Sequence, residues 1–537
     1  MISRRTLSNA IAVALVAACF LLALGNVLMR SLEEADPNRV VIRFSHWQVE
    51  AGMREAFEAV AEEYEALHPN VRVEQLPCPG TVYGTWIQTR LIGGDPPGLM
   101  ELGRGQAPDR LARYFQPLTA WLNEPNPYNA GTEPEGAAWR ETFLDGLSNA
   151  PGLDTLIDYY AVPVSAASSR MYYNLPLFRR IMGPDAPLPE TLEQFLAFCR
   201  KTRRYAADTG RPIVPVAGSA GTANVLLLPL IESQTQKLAL QIDDLAVLII
   251  PQEPRPFLDP RVSLAHPAVR SGLELARTVG GYMPSGFVTY SRDDAIFAFS
   301  TGRAVSLAAG SWDYKGIVEQ SDFPIALAYK PYPTPGNPEW GRGVLGRPSE
   351  RDVGLGVQFY LPQQAEHAEQ AVDFLRYLTS VPGQRTFVKV STWPPAVRTV
   401  APAEQTEAFA PRSEGYTNGF HISKFFWGGG DVYRVYTSNL GKLFDPDGSV
   451  ETFIGALNAG GQFQKAVASD LARALKNQGK FLQRQDPLLA AHHQLAAGGD
   501  EGSARKLSAM FENQNLQESQ RAWLDYRLRA RGQQEGR

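Results

Sequence analysis

Two tripeptides, each standing just after a short apolar strand, carry the side chains in this chain best suited to hold a small molecule. The first is His46-Trp47-Gln48, following Val40-Val41-Ile42-Arg43-Phe44. The second is Ser311-Trp312-Asp313, following the strand Ala304 to Ala309 and Gly310. An indole face packs on apolar C–H groups, while the flanking imidazole, amide, hydroxyl and carboxylate exchange hydrogen bonds with hydroxyls. A molecule with both kinds of surface, such as a sugar, matches that combination. Trp427 in Phe425-Phe426-Trp427-Gly428-Gly429-Gly430, Trp393 in Thr392-Trp393-Pro394-Pro395, and Trp340 in a Pro/Gly-rich stretch are further candidate platforms. Arg104 and Arg347, near predicted strand ends, could grip an anionic solute such as a phosphate through paired N–H groups. The competing fate is core packing for each tryptophan and solvation for each arginine.

Motifs for bond-making chemistry are absent. There is no His-Glu-x-x-His, no Gly-x-Ser-x-Gly, no phosphate loop ending in Gly-Lys-Ser/Thr, and no cysteine pair at zinc spacing. No catalytic residue, metal site or cofactor is therefore expected. The 7 histidines are scattered, and His492-His493 falls in a polar tail, where solvation is expected. Acidic neighbours such as Asp243-Asp244 and Asp293-Asp294 read as solvent-facing, whereas glycoside hydrolysis needs two carboxylates converging in space. Apart from Cys19, near the N-terminus, the cysteines are Cys78 and Cys199, read as unpaired thiols.

The elements that must position the candidate residues follow from length and periodicity. A chain of 537 residues exceeds one ordinary core, so two or more lobes are expected. With 44% hydrophobic and 20% charged residues it has the composition of a folded protein. A net charge of −4 without a basic stripe argues against a nucleic-acid partner. Arg4 and Arg5 precede an apolar run from about Thr6 to Met29, the pattern of an export signal. Three outcomes stay open: cleavage near Ala23-Leu24-Gly25, retention as a membrane anchor, or lipidation of Cys19 in Val16-Ala17-Ala18-Cys19.

After the first strand, Met53, Phe57, Val60, Ala61, Tyr64 and Leu67 recur at helical spacing, and Val71-Arg72-Val73-Glu74 alternates as a strand. This βαβ opening predicts parallel strands in an α/β lobe. A second helix is expected around Tyr83 to Ile92, then a strand at Gly98 to Gly103. Tyr159 to Tyr173 reads as extended crossing segments. Thr191-Leu192-Glu193-Gln194 is a capping box opening a helix that buries Leu192, Phe195, Leu196 and Cys199. Another helix spans about Glu366 to Leu378. Beyond about Gly479 the chain is polar, with Leu507, Met510 and Phe511 at helical positions.

Four of these stretches, in order, resemble the sugar-type extracellular solute-binding proteins related to the maltose and glycerol-phosphate receptors. They are Tyr64 to Val71, Tyr172-Tyr173-Asn174 with Phe178 and Thr191 to Phe195, Phe297 to Asp313, and Ala371 to Gln384 with Pro382-Gly383-Gln384. The resemblance implies a type II-like, two-lobe α/β periplasmic binding protein fold joined by hinge strands. It places lobe 1 at 40–162 and 331–395 and lobe 2 at 163–330 and 396–480. Crossings fall near Tyr160 to Val164 and Pro324 to Lys330. An N-terminal segment, 1–31, and a C-terminal helical extension, 481–537, would be additions, as would an insert from Gln236 to Pro260. The implied role is capture of a sugar or related polyol by a monomer that delivers it to an ABC permease. A membrane sensor built on the same closure, and a carbohydrate hydrolase, are the rival readings.

Overall fold

The computed structural model describes residues 39–103, 106, 108–241, 262–350, 355–421 and 430–535. The opening forms as its periodicity predicts. β1 (Val40–His46) leads into α1 (Met53–Leu67), which buries Met53, Phe57, Val60, Ala61 and Tyr64. Leu67, last in the same stripe, is exposed where the helix ends. β2 (Val71–Pro77) returns parallel to β1, in register from Val40↔Val71 to His46↔Pro77. α2 (Gly80–Gly93) and β3 (Leu99–Leu102) follow, and β3 pairs parallel on the other side of β1. β4 (Val162–Ala166) and β5 (Ser169–Asn174) are separated by two residues, Ala167 and Ser168.

The middle of the chain supplies α3 (Leu192–Thr209), β6 (Val214–Ala217), α4 (Ala220–Ala239), α5 (Arg292–Ser300), β7 (Ala304–Gly310) and β8 (Ile325–Ala328). α3 starts at the expected capping box. The Thr191 hydroxyl accepts from Gln194 N at 3.3 Å, and Gln194 Oε1 accepts from Thr191 N at 3.1 Å. Such a reciprocal cap satisfies two otherwise orphaned helix donors. β9 (Leu355–Tyr360), α6 (Ala368–Leu378) and α7 (Val381–Ser391) come next. α8 (Gln462–Ala497) and α9 (Glu501–Glu535) complete the described chain.

The strands form two separate sheets, β2-β1-β3-β9-β4 and β6-β7-β5-β8. Each carries its own apolar core. Phe44, Phe57, Phe359 and Phe374 pack under the first sheet. Phe178, Phe195, Phe198 and Leu227 pack under the second. The chain passes from first sheet to second at Ala167-Ser168, because the whole of β4 pairs with β9. That crossing lies after Tyr160 to Val164, where the resemblance puts it. The return follows β8, since Ile325 to Ala328 pairs with β5 in the second sheet instead of crossing. A third passage lies between Val397, bridged to Phe143 in the first lobe, and Phe409, packed with Tyr172 in the second.

Arg170, fully buried on β5, fastens this junction. Its guanidinium donates to both Glu350 carboxylate oxygens at 3.0 Å and to the Ala408 and Ala410 carbonyls at 2.6 and 2.7 Å. Cys78 and Cys199 are free thiols, in the first and second lobe respectively.

Beyond the two sheets, α8 and α9 form an antiparallel hairpin around Gly498-Gly499-Asp500. Gln478 donates to Gln517 and Gln514 to Asp486, both at 2.7 Å. Met510 is buried in it, whereas Phe511 is exposed. His492, read as solvated, meets the Ser503 hydroxyl across the hairpin turn at 3.0 Å.

Candidate functional site

The segments after β1 and β7 meet across the boundary between the lobes. Trp312, from the second lobe, packs against the apolar cluster of the first. Arg292 of α5 lies 3.8 Å from Glu50 of the first lobe. Lys315 Nζ donates to the Val390 carbonyl at 2.9 Å. Gly52 lies directly under Lys315: a Cβ there would fall 2.6 Å from Lys315 Cδ, and its φ of +84° is left-handed. The backbone calls for glycine, whereas the Lys315 side chain could shift aside. Residues 50–52 thus meet Arg292, Lys315 and Gly316 across the boundary, with Trp47 and Trp312 a few residues away along each segment.

In the first-lobe half, Trp47 is partly buried and stands edge-on to Tyr83, with ring centroids 5.3 Å apart. Tyr83 is fixed from below, its hydroxyl donating to the Ser45 carbonyl at 2.9 Å. The loop itself hangs on Glu101 of β3. One carboxyl oxygen accepts from the Trp47 backbone N at 3.1 Å, the other from Gln48 Nε2 at 2.5 Å. Glu101 is fully buried, and burial pushes its carboxyl up to about 8 against the lowering effect of those two hydrogen bonds. Sequence reasoning did not single this residue out. The available signal was a lone carboxylate inside the strand Leu99-Met100-Glu101-Leu102, all four of whose residues are buried.

In the second-lobe half, Ser311 is buried and tied to the crossing. Its backbone N donates to the Ser168 carbonyl at 2.8 Å, and its hydroxyl accepts from Ser168 N at 3.4 Å. The Trp312 ring lies over Gly310, where a Cβ would come within 2.2 Å of it. Asp313 accepts from Gly310 N at 3.3 Å and ion-pairs with Arg292. Glu50 and Asp313, from opposite lobes, therefore share one guanidinium. The arrangement offers aromatic faces and hydrogen-bonding groups. Among the described residues no group of three or more His, Cys, Asp or Glu side chains could hold a metal ion.

Other sequence-level candidates lie elsewhere. His46 is enclosed between Phe44 and Phe57, with Nε2 3.3 Å from Gln75 Oε1, and burial holds its pKa down to about 4. It supports the loop from inside the core without offering a free face. Trp340 is 5% exposed in the core of the second lobe, and Trp393 is 3% exposed in that of the first. Core packing is the outcome for both, because the Pro/Gly-rich turns around them fold the rings inward. Arg347 is spent on backbone, donating to the Lys330 and Glu190 carbonyls at 2.9 and 2.7 Å. Arg104 and Trp427 lie outside the described residues, as do 242–260 of the insert and the N-terminal segment.

Two α/β lobes, crossed between repeatedly and meeting at a polar–aromatic contact, define a two-lobe binding protein. The chain belongs to the family of bacterial extracellular solute-binding proteins, whose model matches residues 50–385. It is 22% identical over 350 residues to an uncharacterised ABC transporter extracellular-binding protein of Pyrococcus horikoshii, covering 64% of this chain and 68% of that one. It is 23% identical over 384 residues to the multiple sugar-binding protein of Streptococcus mutans, covering 68% and 77%. Among solved structures, a chitin oligosaccharide binding protein superposes with a TM-score of 0.53 at 17% identity, over 80% of this chain and all of that one. The family is extracytoplasmic, and no helix among the described residues is long and apolar enough to cross a membrane.

Proposed function

We propose that this chain captures a sugar between its lobes and delivers it to an ABC permease in the cytoplasmic membrane. The observation that carries the reading is the pair Trp47 and Trp312. One stands in each lobe, each just after the carboxyl end of a strand, on segments whose later residues, Glu50 and Gly52 on one side and Lys315 on the other, lie at the boundary between the lobes. Ligands of open α/β sheets sit beyond such strand ends. The names of the Streptococcus mutans and chitin oligosaccharide relatives support a saccharide as solute. Gln48, Asp313 and the Arg292 guanidinium would pair with its hydroxyls. In this reading lobe 1 comprises 40–166 with 355–397, and lobe 2 comprises 169–328 with the segment around Phe409 and the residues that follow.

The mechanism is population shift. A ligand touching both lobes stabilises the closed form by its differential contacts, and no bond is made or broken. The chain acts as a monomer, exported by its N-terminal segment, which either anchors it or is removed. A thermal-shift screen of mono- and oligosaccharides tests the reading. A sugar at a hundredfold excess over its Kd adds about 2.7 kcal/mol of stability. The sugar should then be recovered chemically unchanged. No thermal shift with any saccharide would remove the sugar, and a cleaved product would replace the receptor by an enzyme.

A further inference from the structure

The C-terminal hairpin lies outside the 50–385 match to the family model, and it touches both lobes. Its base is built into the second. Phe463, Ala466, Val467 and Leu471 from the first turns of α8, with Leu524 from α9, are core residues of that lobe. Asp470 caps the helix Asp431–Ser438 beside it, accepting from Asp431 N at 2.9 Å and Val432 N at 3.0 Å. A helix of 36 residues is about 54 Å long, which carries the hairpin well past the lobe in which it starts.

Further along, the hairpin rests on the first lobe. Leu488 packs against the cluster of Leu111, Leu156 and Tyr160. Lys506 Nζ is 2.6 Å from Asp158 Oδ2, whose other oxygen accepts from Thr119 at 2.6 Å. Asp158 stands a few residues before β4 and so before the first crossing. Beside Leu488 a cavity of about 370 Å3 remains, bordered by Leu156 and Arg113 of the first lobe and by Phe481 and Arg484 of α8. The foothold is small and incompletely packed, whereas the base is continuous with a core.

We propose that the hairpin is a strap across the lobes: rooted in the second, it clasps the first at Leu488 and Lys506 and restrains the lobes from separating. Separation moves Asp158 away from the base of α8. The strap must then release its foothold, so its contacts add to those of the closed arrangement alone. Small contacts suffice for such a bias, because a partly exposed ion pair and one apolar contact are the size of an open–closed difference. The bias acts with or without solute, and its test needs no ligand.

The experiment measures the distance between the lobes in the full-length chain in detergent, with Cys19, Cys78 and Cys199 replaced by alanine. Spin labels sit at Glu58→Cys on α1 and Lys201→Cys on α3, both exposed and on opposite lobes. Pulsed dipolar spectroscopy compares this protein with the double variant Leu488→Ser/Lys506→Glu and with Lys506→Arg. The double variant should increase the population of long distances at least about twofold, and Lys506→Arg should leave the distribution in place. Neither label touches the hairpin, so a variant whose tip frays still reports lobe separation. Identical distributions in all three proteins would overturn the strap.

Discussion

Replacing Glu101 by glutamine should abolish a pH dependence of stability that the wild-type chain carries between pH 6.5 and 8. The folded protein holds the Glu101 carboxyl up to about 8 through burial, against 4.5 for a free glutamate. Between those values the folded state keeps a proton that the unfolded chain has released, so stability falls as pH rises. His46 works the other way. Burial holds it down to about 4 from 6.5, so acid below 6.5 protonates the unfolded chain first and stability falls as pH drops. The two effects oppose each other between 4.5 and 6.5, and above 6.5 the Glu101 effect dominates. Lys330, held down to about 8 by burial, begins to lose its proton in the folded chain toward the upper edge of the window and there opposes Glu101. One full proton corresponds to about 1.4 kcal/mol per pH unit, but Glu101 is half-titrated at pH 8 and Lys330 opposes it there, so the window should cost the wild type about 1 kcal/mol. Urea unfolding followed by tryptophan fluorescence at pH 6.5 and 8 measures the difference. The Glu101→Gln variant should lose that fall, because the glutamine oxygen can still accept from the Trp47 amide and Gln48 can turn its own oxygen to the new NH2, with nothing there left to titrate. A wild-type midpoint that stays level across the window, or a slope that survives in Glu101→Gln, would refute the assignment.

Trp312→Ala should weaken binding of a saccharide by about 1–3 kcal/mol, as for other well-packed aromatic anchors, in titration calorimetry. An earlier melt with unchanged affinity would instead make Trp312 a lobe-packing residue. Arg170→Met should destabilise the fold by about 3–5 kcal/mol in urea, because it leaves Glu350 without its bidentate partner next to the crossings. A change below about 1 kcal/mol there would mean that water reaches Glu350 and solvates it in place of the guanidinium.

The fold was legible wherever local pattern and tertiary role coincide. The α1 stripe, the alternating β2 and the Thr191 capping box each carry a period or spacing set by backbone geometry, and each element formed where that geometry predicts. The crossings were legible only to within a few residues, because extended apolar residues read alike whether they pair or cross. β8 carries no mark in its sequence that it pairs with β5 instead of leading out of the lobe. The hairpin was legible as helix, through Leu507 and Met510, but not as a bridge. What it rests on is fixed by Asp158 and Leu156, some 350 residues earlier in the chain.

The site divides along the same physical line. Trp47 and Trp312 could be placed just after strand ends because a strand end is a local feature, and α/β architecture assigns strand ends a common side. Trp340 and Trp393 share their residue type but not that position, and the core took them. The groups that hold the site were hidden for the opposite reason. Glu101 and Arg170 occupy strand positions where the neighbours are apolar, Leu99-Met100-Glu101-Leu102 and Arg170-Met171-Tyr172-Tyr173. Only the fold supplies the partners that make a buried ionisable group tolerable: the Trp47 amide and Gln48 for one, Glu350 and two carbonyls for the other. An ionisable residue among apolar strand neighbours is therefore a positional signal in its own right. In this chain it marks the loop after β1 and the junction between the lobes, the two places that a lobe-closing receptor must hold fixed while the rest moves.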